Sequence, residues 1–511
     1  MPAQEPPRSP GNDGPSNDDL REHTLPRSSC REMLQASVSP DEVIRKFVEA
    51  QSYSVQRKNL STGAKLLTIE VDIPHTFVGV TFNAGSRFEE KGEHGALHFF
   101  EHLPPSSYSA NPELREKLKS ELNVSQIPDR LPRLLAQRSW VPTISINRDV
   151  LMIGFICPSF DTAPALTLLQ DMLNAPIQAY RDCFEAERSR ISREIWEEST
   201  QGDRIIHEFL VSITSERPGD KHRVTGTAEE VNGYDFEKVW AVGKKHLTPK
   251  NAVFFVAGQS TLVAPVSERL ESMPLFEAQL SSATGGPAVY ESPAREQVHE
   301  NSLVTKREVI VSPPESLQRA TILFAKFRAE SPNLNSKERT IARVLFNHAY
   351  ALVDDEVGHK EKFFYRLNTA ALRFSEKEIS YIMHFGCEPE RLTEAATAVA
   401  NLYASISTRL DSNSAADIIS QAKAELLRKP IHLENIASTV RDSVAFPNLP
   451  HISLKEELDI LQSLTLADLT EGAKKLFGTA EEPKGEFTYW VPKEKREEVE
   501  RSRDKLAHPW G

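Results

Sequence analysis

The stretch Gly85 to Ser106, GSRFEEKGEHGALHFFEHLPPS, places His98, Glu101 and His102 in one short apolar run. Positions i and i+4 of an α-helix share a face one turn apart, so His98 and His102 can present imidazole nitrogens to one cation at about 2.0 to 2.1 Å. Glu101, one residue before the second histidine, lies on nearly the same side. It is placed to take a proton from a water on the metal without being a ligand itself. Gly95 precedes the apolar run and Pro104-Pro105 follow it, so the pattern predicts a short helix that starts near Gly95 and stops at the prolines. The competing reading makes all three ordinary polar residues of a buried helix. A third ligand separates the two, because a catalytic zinc takes three protein ligands and keeps a fourth position open.

Working outward, AKLLTIEVD (64–72) and TFVGVTFNAG (76–85) read as strands leading into this stretch. Beyond it, residues 106–140 are polar with helical pieces, as in a surface excursion. TISINRDVLMIGFICP (143–158) is a strand, TAPALTLLQDMLNAP (162–176) a helix, AYRDCFEAERSRISREIWEESTQ (179–201) a long charged helix and NAVFFVAGQ (251–259) a strand. The second half repeats the style. SLVTKREVIVSP, RATILFAKF and EISYIMHFGC read as strands, with helices from about Ser336 to Leu352 and over ERLTEAATAVANLYASI. Interleaved strands and helices of this kind predict an α+β chain of two similar α/β sandwich domains, each an antiparallel or mixed sheet covered by helices. The expected divisions are a disordered tail over 1–45, a metal-binding domain over 46–265, a linker over 266–300, a second domain over 301–490 and a charged tail over 491–511.

At 511 residues the chain is long enough for two cores. A formal charge of −12 argues against sequence-independent nucleic-acid binding, which needs a basic face. No apolar run reaches the roughly 18 residues of a membrane span. Cys30, Cys157, Cys183 and Cys387 form no CxxC pair, so neither a disulfide framework nor a cysteine zinc site is expected. Cys157 and Cys183 read as buried thiols. His94, four residues before His98, precedes Gly95 and reads as a capping or surface residue.

GSRFE, the glycine before the helix and HFFEHL together resemble the inverted zinc-binding signature of the pitrilysin and insulinase family of metallopeptidases, which includes the mitochondrial processing peptidases. The resemblance implies a third ligand from a glutamate on a later helix, with a second acid seven residues earlier. EAERSRISREIWEE supplies Glu194 as ligand and Glu187 as the acid that orients. The alternative there is a solvated charged helix with local arginine partners. The resemblance further implies one zinc ion per chain, Glu101 as general base, a peptide substrate added to a sheet edge, and a homodimer or a heterodimer with a related subunit.

The chain departs from the family in three places. The interval from His102 to Glu194 is long, as if residues 104–140 held an insertion. The second domain of the family carries an Arg and, seven residues on, a Tyr that hold the substrate carbonyl. Here YRLNTAALRF supplies Arg366, but position 373 is Arg and the nearest aromatic is Phe374, and YALVDDEVGHKEKFF replaces the glycine-rich approach. A zinc metallopeptidase is therefore the leading expectation. The alternatives are a catalytically silent partner subunit of the same fold and a zinc site recruited to a non-peptide substrate in small-molecule biosynthesis. The acidic start of the chain favours the cytoplasm over the mitochondrial matrix.

Overall fold

The computed structural model describes residues 39–50, 53–215, 218–275, 310–311, 321–330, 334–364, 366–373, 377–427, 433–446 and 451–509. The first half builds one sheet from β1 (Ser54–Asn59), β2 (Lys65–Glu70), β3 (His75–Phe82), β4 (Val141–Pro142), β5 (Ser145–Ile146), β6 (Leu151–Pro158) and β7 (Ala252–Gly258). Its order is β1-β2-β7-β3-β6-β4, with β5 also on β6. The second half builds a sheet from β8 (Ile310–Val311), β9 (Ile322–Glu330), β10 (Asn368–Arg373), β11 (Glu378–Gly386) and β12 (Glu486–Trp490), in the order β10-β11-β9-β12-β8. Among the described residues each sheet has one parallel pair, β2 with β7 and β8 with β12, that continues into antiparallel neighbours. The halves are thus two versions of one mixed-sheet plan, each layered with helices.

The central strands β3 and β6 are buried along nearly their whole length. A strand with two apolar faces needs cover on both. One face packs on helices of its own half. The other receives Ile436, Ala437 and Val440 of a helix from the second half (Leu433–Ala445), which cluster with Leu67, Ile69, Phe77 and Phe255 of the sheet. The exchange is reciprocal: Ile205 and Leu210, on a helix of the first half (Gly202–Thr214), pack against Ile322, Phe324, Ile382 and Trp490.

Several expectations are corrected. The helix bearing the histidines, α1 (Ala96–Ala110), does not stop at Pro104-Pro105 but runs through them. Leu103, Pro104 and Tyr108 are buried, the Tyr108 hydroxyl donates to the Pro128 carbonyl at 2.7 Å and the Ser107 hydroxyl donates to the Pro104 carbonyl at 2.7 Å. This tertiary anchoring outweighs the helix-breaking cost of proline. Residues 106–140 are no mere surface excursion, since Leu114, Leu118, Leu131, Leu134, Leu135 and Trp140 join the first core.

The boundaries also shift. A helix over Pro40–Ala50, assigned in part to the tail and in part to the first domain, buries Ile44 and Val48 in the core of the second half. Residues 491–509 of the expected charged tail pack on the second core: Val491, Val499 and Leu506 are buried, and the Tyr489 hydroxyl donates to the Leu506 carbonyl at 3.0 Å. Residues 266–275, expected in the linker, belong to the first core: the helix Ser260–Glu271 buries Val266 and Leu270, and Met273 and Leu275 follow. Most of the expected tail 1–45, linker residues 276–300 and Phe374 lie outside the described residues.

Candidate metal centre

Each part of the opening stretch has a structural task. Gly85 lies so close to the chain at Arg148 that a Cβ there would meet its carbonyl oxygen at 2.3 Å. Ser86 and Arg87 donate backbone N–H groups to the Asn147 and Arg148 carbonyls at 3.0 and 3.1 Å, and the Arg87 guanidinium pairs with Asp149 at 2.9 Å and Asp220 at 3.1 Å. GSRF therefore pins the hairpin that carries edge strand β5. Gly95 caps α1 in the left-handed conformation, φ +83°. The buried Glu89 carboxylate accepts the Gly95 and Leu97 N–H groups at 2.9 and 2.7 Å, completing the first turn. Burial pushes the Glu89 pKa up to about 8, against the pull of those two donors.

The third candidate ligand, Glu194, lies on α2 (Ile177–Thr200), which packs along α1 through a Phe99–Phe184 stack at 4.5 Å. Glu187 and Glu194, two turns apart on α2, both face α1. Glu194 approaches His98 Nε2 at 3.7 Å and His102 Nε2 at 3.5 Å. Among the described residues this trio is the group of His, Cys, Asp and Glu whose donor atoms all lie within 4.8 Å and could hold an ion. Edges of a tetrahedral zinc site are about 3.4 Å for bonds of about 2.1 Å, so the cluster is close to the required size. Glu187 Oε2 lies 2.9 Å from His102 Nδ1, and Glu187 Oε1 accepts the Ser106 hydroxyl at 2.7 Å. That contact fixes the ring and leaves Nε2 toward the centre.

The electrostatics follow from burial. Desolvation holds His98 down to about 3, neutral as a ligand must be. Burial opposes charge on His102 too, but the hydrogen bonds to Glu187 and Glu194 win and raise it to about 9. A cation on Nε2 would displace that proton. Glu101 is buried, pushed up to about 7 by desolvation, and makes no hydrogen bond among the described residues; its carboxylate sits 4.0 Å from His98 Nε2. It is a carboxylate poised near neutrality with its oxygens uncommitted.

These groups line an open cleft of about 880 Å³ whose opposite wall is the edge segment Ile144–Arg148. Sequence reasoning missed three further lining residues, Arg204, His207 and Glu208, on the helix that crosses to the second sheet. It also missed Glu89, for which an acid just ahead of a helix start was the available signal. His94 stays outside the centre, its ring stacked on His222 at 3.9 Å. Arg366 is exposed ahead of β10 and does not line the cleft. Arg373 is half-buried, its guanidinium 5.6 Å above the Phe446 ring. Cys157 is buried as expected and Cys183 partly so.

No protein-family model and no curated protein sequence matches the chain. Solved structures do. A protease from Helicobacter pylori aligns with TM-score 0.63 at 14% identity, covering 86% of this chain and 100% of its own. An inactive domain of an M16 peptidase from Pseudomonas fluorescens gives TM-score 0.62 at 14% identity, covering 86% and 98%. A chain of complex III2 from Candida albicans gives 0.61 at 14%, covering 89% and 100%. The chain shares the fold of these proteins. The likeness does not single out the mitochondrial processing subgroup. M16 folds thus serve both proteases and an inactive domain, so the activity of this chain has to be argued from its cleft.

Proposed function

We propose that this chain is a zinc-dependent hydrolase of peptide bonds in extended peptides. The observation that carries the proposal is the convergence of His98 Nε2, His102 Nε2 and the Glu194 carboxylate beside a buried Glu101 whose oxygens make no hydrogen bond among the described residues. Two imidazoles and one carboxylate form a donor set used by catalytic zinc. Zinc bound there supplies a Lewis acid for the scissile carbonyl and lowers the pKa of water toward 7. Glu101 accepts the proton of the attacking water and returns it to the leaving amine. Glu187 holds the His102 ring in place. A substrate strand lies along the β5 edge, its backbone paired with Ile144–Ile146 and its scissile bond facing α1.

A silent partner subunit is the second reading. It is favoured by the second half, which brings neither Arg366 nor a tyrosine at 373 to the cleft. A further chamber wall from an identical or related chain belongs to the main proposal and would make good that lack. The test is cleavage of a mixed pool of unstructured peptides by the purified full-length chain. Cleavage that stops on chelation and returns with zinc supports the hydrolase. A zinc-loaded chain that cuts nothing, alone or with a co-purifying subunit, supports the silent reading.

A further inference from the structure

Given the hydrolase proposal, on which this inference rests, the charge of the cleft walls decides which peptides enter. The walls carry both signs, but most of the carboxylates are already taken. Glu198 is paired with Arg204 and accepts the Thr225 hydroxyl at 3.3 Å, Glu208 is paired with Arg148, and Glu194 faces the two histidines. The arginines of α2 are in the opposite condition. Arg193 is exposed at the cleft and pairs with no carboxylate among the described residues. Arg190, also exposed, makes no hydrogen-bonded ion pair: it lies 3.8 Å from Glu187, whose oxygens are occupied by His102 and Ser106, and acts on Glu194 and Glu101 only through its charge. Two lining carboxylates make no hydrogen bond among the described residues, the exposed Glu197 and the buried Glu101, and of the two only Glu197 lies on the helix of these guanidiniums. The α2 wall beside the histidines therefore presents two exposed guanidiniums in a chain of net charge −12.

We infer that the cleft selects peptides bearing an Asp or Glu side chain within about two residues of the scissile bond, held by Arg190 and Arg193. The spacing follows from geometry. Arg190 lies four residues before Glu194, about 6 Å along the helix axis, which is the reach of about two residues of an extended strand. Arg193 is adjacent to Glu194 in sequence. A peptide paired to β5 runs between that edge and α2, so alternate side chains point at this helix. A planar guanidinium grips a carboxylate through two parallel N–H donors, and an exposed Arg gives up little hydration to do so.

The test measures binding, so that it does not depend on turnover. Fluorescent unstructured peptides, identical except for Glu, Gln or Lys at one position scanned along the sequence, are titrated against the full-length Glu101→Gln chain. The expected result is that Glu peptides bind about tenfold more tightly than Lys peptides at one or two positions, with the difference shrinking as salt rises. An Arg190→Gln/Arg193→Gln double variant, both sites being exposed, abolishes that difference. Equal affinity for Glu and Lys peptides, or a preference that survives the double variant, overturns this inference and leaves the hydrolase proposal standing. Failure of every peptide to bind, both to the chain alone and with a co-purifying subunit present, overturns both.

Discussion

At the residue scale, the proposed centre depends on groups of two kinds, those that would hold the ion and those that position them. His98, Glu101 and His102 were legible because their spacing on a helix has a direct chemical meaning. Glu194 and Glu187 became legible only through the likeness of a second segment, since an acid on a charged helix carries no signal of its own. Glu187→Gln should weaken zinc binding about 10- to 100-fold, as loss of a histidine's hydrogen-bond partner does elsewhere, measured by competition with a chromophoric chelator. Arg204 and His207 were not legible, because the fold alone brings them to the cleft. Arg366 shows the converse: a matching residue in sequence that the backbone leaves outside.

At the element scale, α1 is set by its two ends. Glu89, raised to about 8 in the fold by burial, holds its proton more firmly folded than unfolded, where a carboxyl titrates near 4.5. Its contribution to stability is therefore full below the unfolded value of 4.5 and declines as pH rises toward 8. Glu89→Gln should flatten that decline, measured by urea unfolding of both proteins at about pH 5 and about pH 8. At the other end, Pro104 and Pro105 deny hydrogen bonds to the Phe100 and Glu101 carbonyls without ending the helix. Pro105→Ala should restore one bond and raise stability by about 1 to 2 kcal/mol, read as a shift in the urea midpoint. A proline pair reads as a stop in any local rule, and only the contacts of Tyr108 and Leu103 with the first core show why it fails here.

At the scale of the whole molecule, each half covers a face of the other's sheet. The apolar runs of β3 and β6 announced burial on both faces, yet which element supplies the second cover is a long-range matter that no local pattern encodes. Val440 sits fully buried in that contact, among residues of the first sheet. Val440→Asp, burying an unpaired charge, should cost at least about 3 kcal/mol and, because the helix crossing the other way shapes the cleft, lower peptide binding as well as the melting temperature. The same separation explains why the duplicated plan was visible as element order but not as sequence identity. The two sheets share a mixed plan built around one parallel pair, while their side chains serve different neighbours.

The most direct measurement compares wild type with Glu101→Gln for zinc content and for peptide cleavage on the same preparations. The expected outcome is equal zinc in both and a rate at least about 100-fold lower in the variant, the scale of a lost general base. Zinc lost with the substitution would make Glu101 a ligand, and undiminished cleavage would remove it from the chemistry; either result contradicts the site described here.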